Sequence, residues 1–149
     1  MHLNRISSLT VLATIFSITG CATSSISHDA AKAVPADRIF LTPTITEKDN
    51  AKIIVVRDTG FTGGGVFQHL YIDGKEAARL NPGEKAEFIL PPGDHILGAI
   101  PTNAFGQASL NTIDQKLESG KRYFYRIQTD GNSFRTVVQR YLPMADSGN

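Results

Sequence analysis

The chain has 149 residues, with 15 basic and 14 acidic side chains, one cysteine and no tryptophan. That is the length of one ordinary domain, and 41% hydrophobic content is enough for a packed core. The single Cys excludes an internal disulfide and a multi-cysteine metal site, and the near-zero net charge excludes a strongly basic nucleic-acid binder.

Residues 1–21 read MHLNRISSLTVLATIFSITGC. A short polar start carries Arg5, and Ile6 to Ile18 comes next as thirteen mostly apolar, uncharged residues. This run is too short to cross a hydrocarbon core of ~30 Å as a helix. It has the order and length of a secretory signal. The closing Ile18-Thr19-Gly20-Cys21 resembles the lipobox of bacterial lipoproteins, with Ile18 in place of the commoner Leu. The resemblance implies cleavage before Cys21 and acylation of that residue on its thiol and its new amine. Acyl chains contribute ~0.8 kcal/mol per buried CH2, so three of them anchor a protein permanently to a membrane. Ala22 stands where an Asp would imply retention in the inner membrane, so the outer membrane is the expected address, with the domain facing the periplasm.

Residues 22–35, ATSSISHDAAKAVP, are small and polar and end at a proline. They read as a flexible tether with an r.m.s. reach of roughly 20 Å. The expected organisation is therefore a cleaved signal over 1–20, lipidated Cys21 and tether over 21–35, and one folded domain over 36–149.

From Ala36 onward turn signals recur: Asp73-Gly74, Pro82-Gly83, Pro92-Gly93, Ser119-Gly120 and Asp130-Gly131. Asp73-Gly74 is a two-residue hairpin signal, since both positions favour positive φ. The Pro-Gly pairs fit type II turns. Between turns the chain alternates. Ala86, Phe88 and Leu90 share one face, as do Tyr123, Tyr125 and Ile127, and Phe134, Thr136 and Val138. Ile53-Ile54-Val55-Val56 is apolar at both parities and reads as a central strand. The sequence predicts strands near 38–42, 51–57, 67–73, 75–80, 85–90, 94–100, 107–118, 121–129 and 133–141. Seven to nine strands in this length imply an all-β, antiparallel sandwich of Greek-key or prealbumin-like type.

The ordered segments IIVVRD, LYIDGKEAARL, FILPPGDHILGA and SGKRYFYRI span about residues 51–128. Their sequence and spacing resemble a widespread family of bacterial lipoprotein domains of unknown function. Val56 before Arg57 departs from it, because the family often has Tyr there and Pro after the Arg. The resemblance implies a fold and an address but no chemistry. The hairpin and Pro-Gly pattern is also similar to small surface-binding β domains of the PEGA type.

No catalytic motif stands out. His69 and His95 read as hydrogen-bonded structural histidines, and no H-x-H or H-E-x-x-H occurs. No G-x-S-x-G elbow is present, and Gly63-Gly64-Gly65 leads into a strand rather than the Lys-Ser/Thr and helix of a phosphate loop. The chain is therefore expected to bind rather than catalyse, without cofactor or metal. Two loci are candidates. One is a glycine loop with Phe61, Gly63, Gly64, Gly65 and Phe67. The other is a basic face with Arg122, Arg126 and Arg135, whose forked donors suit phosphate or carboxylate. The expected partners are the membrane, through the lipid on Cys21, and an envelope component (peptidoglycan or lipopolysaccharide) or a protein. An inhibitor-type interaction module and an envelope hydrolase with an unrecognised site are the other readings.

Overall fold

The computed structural model describes residues 23–42, 46, 48–60, 65–102, 109–130 and 135–143. Nine strands run through them: β1 (Lys32–Ala33), β2 (Ala51–Arg57), β3 (Gln68–Ile72), β4 (Lys75–Leu80), β5 (Glu84–Leu90), β6 (Gly93–Pro101), β7 (Asn111–Leu117), β8 (Arg122–Thr129) and β9 (Thr136–Tyr141). They form two packed sheets, β1-β5-β2-β8-β9 and β4-β3-β6-β7. The protein is a β-sandwich, as its alternating segments predict. Most pairings are antiparallel, while β1–β5 and β2–β8 are parallel. No helix among the described residues is long and apolar enough to cross a membrane.

Period two explains the core. Ile53 and Val55 of β2, Phe88 and Leu90 of β5, and Tyr123, Tyr125 and Ile127 of β8 point between the sheets. Leu70, Ile72, Leu80, Leu97 and Leu117 meet them from the second sheet. Full burial of each such side chain contributes about 1.5–3 kcal/mol. A bulge between Leu70 and Tyr71 lets two consecutive alanines, Ala77 and Ala78, both lie buried on β4. The hairpin joining β3 to β4 is made by Asp73 (φ 50°) and Gly74 (φ 76°), both left-handed as the sequence implies.

The tether expected over 21–35 differs from what is found, because from Thr23 on the chain belongs to the fold. Ser24 bridges Thr59, and β1 lies beside β5. Between them the segment covers the outer face of the five-stranded sheet. There Ala31 and Ile26 pack with Ile54, Val56 and Phe124 in a second, smaller core. This strap is why β2 is apolar at both parities. One face looks into the sandwich and the other looks into the strap.

Two further expectations change. The strand predicted over 38–42 is a 3-10 turn at Ala36–Arg38 and then a single bridge, Ile39 to Ala78. The amides of Phe40 and Leu41 both reach the Ala77 carbonyl, at 2.9 and 3.3 Å, so the bulge of β4 takes the place of a regular ladder. Gly93, expected in a type II turn, has φ 139° and opens β6. Of the strands predicted over 107–118 and 133–141, the described residues form Asn111–Leu117 and Thr136–Tyr141, while 107–108 and 133–134 lie outside the described residues.

Register fixes which end each loop occupies. β2 runs from Ala51 toward Thr59, β8 runs alongside it, and β5 runs back. Thr59, the Pro82-Gly83 turn and Thr129 therefore share one end. The amide of Gly83 donates to the Arg57 carbonyl at 2.9 Å, which ties the turn to that end. The Asp73-Gly74 turn, the start of β6 and the β7–β8 connection lie at the other.

Candidate functional site

Cys21, Phe61, Gly63 and Gly64 lie outside the described residues. Gly65 is exposed just before β3, with open space around the position a Cβ would take. Phe67 is half-buried, and the Arg38 guanidinium carbon sits 5.2 Å from its ring centre. Arg38 in turn forms a bidentate pair with Glu84, at 2.8 and 2.6 Å. Burial works against the Glu84 charge, but Arg38 and the Asn81 amide outweigh it and hold the carboxyl below its ordinary range.

Arg122 and Arg126 share the outer face of β8, as its alternation predicts, but they stand in different surroundings and Arg135 lies apart from them. Arg122 opens β8 opposite Lys52, Arg126 lies mid-strand opposite Val56, and Arg135 sits beyond the other end, where its carbonyl accepts the Asp130 amide at 2.8 Å. Arg126 is engaged inside the fold. It pairs with buried Asp58, donates to the Ile26 carbonyl at 3.2 Å and lies 4.5 Å from the Tyr141 ring centre. Burial pushes the Asp58 carboxyl up, and the Arg126 charge opposes that rise. Arg57 is also buried, and it donates to the carbonyls of Val66 and Leu80, both at 2.6 Å. Burial pulls its guanidinium down to about 10, with Glu84 acting the other way. Both internal arginines therefore act as staples at the Thr59 end of the sandwich.

Among the described residues a surface concavity lies at the opposite end. It is an open groove of about 580 Å³ lined by Asp73, Asp94, His95, Ile96, Asp114, Gln115 and Lys116. Its floor is rigid. The Asp73 carboxylate meets His95 Nδ1 at 2.7 Å with one oxygen and accepts the Ile96 amide at 2.9 Å with the other. His95 Nε2 lies 2.9 Å from the Pro91 carbonyl oxygen. The hairpin turn and the start of β6 are thereby tied together, and the end of β7 pairs with β6 alongside them. Asp94 and Asp114 project to solvent beside half-exposed Ile96. Three carboxylates face one Lys and one His, so the groove suits a group that is cationic or rich in donors, with an apolar part against Ile96.

His69 is likewise a hydrogen-bonded sheet residue. Its Nδ1 lies 2.6 Å from Glu76 and its Nε2 lies 2.8 Å from the Thr102 hydroxyl. Among the described residues no group of three or more His, Cys, Asp or Glu is placed to hold a metal ion. The groove was not singled out from sequence because its residues come from three separated segments. The only local hint is Pro-Pro-Gly-Asp-His, which places a histidine at the start of a strand.

No family model matches the sequence, and no curated protein matches it. Among solved structures the chain is similar to the NMR structure of a protein from Eubacterium rectale, at 19% identity and a TM-score of 0.42, over 70% of this chain and 99% of that one.

Proposed function

We propose that this protein is a lipid-anchored module of the bacterial outer membrane, with its β-sandwich in the periplasm, and that it works by binding. The observation that carries the reading is the uncharged run Ile6–Ile18 closing on Thr19-Gly20-Cys21, with the only cysteine of the chain at the position that would be acylated. The near-neutral composition of the rest of the chain supports attachment through that lipid rather than through a basic surface. The groove of Asp73, Asp94 and Asp114 is the favoured contact surface. Its charge selects a basic, partly apolar segment of an envelope protein over an anionic saccharide or lipid.

Fractionation tests the reading. The Cys21→Ala protein is expected in the soluble periplasmic fraction or as an unprocessed precursor. A processed Cys21→Ala protein that stays membrane-bound after a high-salt wash overturns it.

A further inference from the structure

The strap sets a geometric constraint that a flexible tether would not. The Thr23 hydroxyl donates to the Thr129 carbonyl at 2.6 Å. Ser24 and Thr59 exchange two backbone hydrogen bonds, at 2.7 and 3.0 Å. The Ile26 amide donates to the Asp58 carboxylate at 3.3 Å. The chain is thus fixed to one end of the sandwich from Thr23 onward. Only Ala22 separates Thr23 from Cys21. Two residues span at most about 7 Å. A lipid on Cys21 therefore holds this end at the membrane surface.

We propose that the Thr23 end of the sandwich rests on the phospholipid headgroups of the leaflet that holds the acyl chains. This rests on the lipid-anchor reading above. Among the described residues the contacting rim includes Thr59, Gly60, the Pro82-Gly83 turn, Asp130 and Arg135. Gly83 belongs to it because a Cβ there would meet the Thr59 methyl at 3.1 Å. Asp130 and Arg135 belong to it because they close the β8–β9 connection beside Thr129. The described residues of this rim are mostly polar. Its exposed Arg135 offers forked donors to a phosphate.

The orientation has a consequence for the groove. β2 is seven residues long, so the two ends of the sheet are about 23 Å apart at 3.3 Å per residue. With the Thr23 end down, the Asp73–His95–Asp114 groove points away from the membrane, toward whatever crosses or fills the periplasm.

The test uses the full chain in isolated outer-membrane fragments, with a polyethylene-glycol maleimide as probe. Acylated Cys21 does not react, so each introduced cysteine reports alone. Asp130→Cys and, separately, Arg135→Cys are expected to resist labelling in membranes and to label after detergent. Lys121→Cys, at the far end, labels in both. A spacer of about ten Gly/Ser residues between Ala22 and Thr23, with a reach of roughly 18 Å, restores labelling at Asp130→Cys. Equal labelling of both near-end variants in membranes and detergent overturns the orientation, as does blockage that the spacer fails to relieve. The intact mass of the same sample separates the two claims. An acylated protein with freely labelled near-end cysteines sinks only the orientation, and a protein without acyl chains sinks the anchor and the orientation together.

Discussion

Thr23 donates its hydroxyl hydrogen to the carbonyl oxygen of Thr129, 106 residues further along the chain. The bond makes the start of the described chain part of the sheet end formed by β2 and β8. It also opens the strap that covers Ile54, Val56 and Phe124, and this cover carries the energetic weight. A chain beginning at Thr23 is expected to melt cooperatively. A chain beginning at Ala36 uncovers those three side chains and loses Ala31 and Val34 from the buried set. The expected cost is about 3–5 kcal/mol, read as a lower denaturant midpoint with increased binding of a hydrophobic dye. Equal midpoints for the two chains would show that the strap contributes nothing.

Asp58 and Arg126 form the second long-range tie. Their side chains are 1% and 11% exposed, so neither charge is well hydrated when its partner is gone. Asp58→Ala strands the Arg126 guanidinium against the Ile26 carbonyl and the Tyr141 ring alone, at an expected cost of about 3–5 kcal/mol. Arg126→Met fills the same space without a charge but leaves Asp58 buried and unpaired. The double variant Asp58→Leu/Arg126→Met is expected to recover most of the loss. A double-mutant cycle by chemical denaturation with no coupling between the sites would contradict the pairing.

Glu84 supplies the pH dependence. Its carboxyl ionises below the ordinary value of 4.5 in the folded protein, burial being outweighed by Arg38 and the Asn81 amide. A depressed folded value means that the unfolded chain binds the proton more readily. The contribution of Glu84 is complete above the ordinary range and is lost as pH falls through 4.5 and below. Glu84→Gln is expected to cost about 1–3 kcal/mol at neutral pH, by loss of a charge-assisted bidentate pair. It should also flatten the acid limb of the stability curve. An acid limb identical to that of the parent protein would remove Glu84 from the account.

Tyr125 points the other way. Its ring fills the core at 0% exposure, and its hydroxyl finds no hydrogen-bond partner among the described residues. Burial holds that hydroxyl far above its ordinary ionisation range. Tyr125→Phe removes an unsatisfied polar atom and keeps the ring. The thermal midpoint should stay level or rise, by the equivalent of about 1 kcal/mol or less. A clear fall would mean that the hydroxyl is bonded in solution.

The strands were legible wherever side chains alternate between a packed and a solvated face, as in Ala86–Phe88–Leu90 and Tyr123–Tyr125–Ile127. The Asp73-Gly74 hairpin was legible because its left-handed backbone demands those residue types. The strap was not, because ATSSISHDAAKAVP has no period and its buried residues, Ala31 and Val34, are small and widely spaced. Its trace was in the strand it covers, since a sheet exposed on one face has no reason to carry both Ile54 and Val56 outward. Arg126 read as a surface charge because its partner is 68 residues away, at the end of a different strand. The groove escaped for the same reason. Asp73, His95 and Asp114 meet only once β6 lies between the hairpin turn and β7.

The most direct test of the lipid-anchored reading is the intact mass of the protein purified from membranes in detergent. The account predicts a chain that begins at Cys21 and carries three fatty acyl chains, two through a glyceryl thioether and one on the amine. A mature chain without acyl mass, or one that keeps residues 1–20 in the membrane, would contradict it.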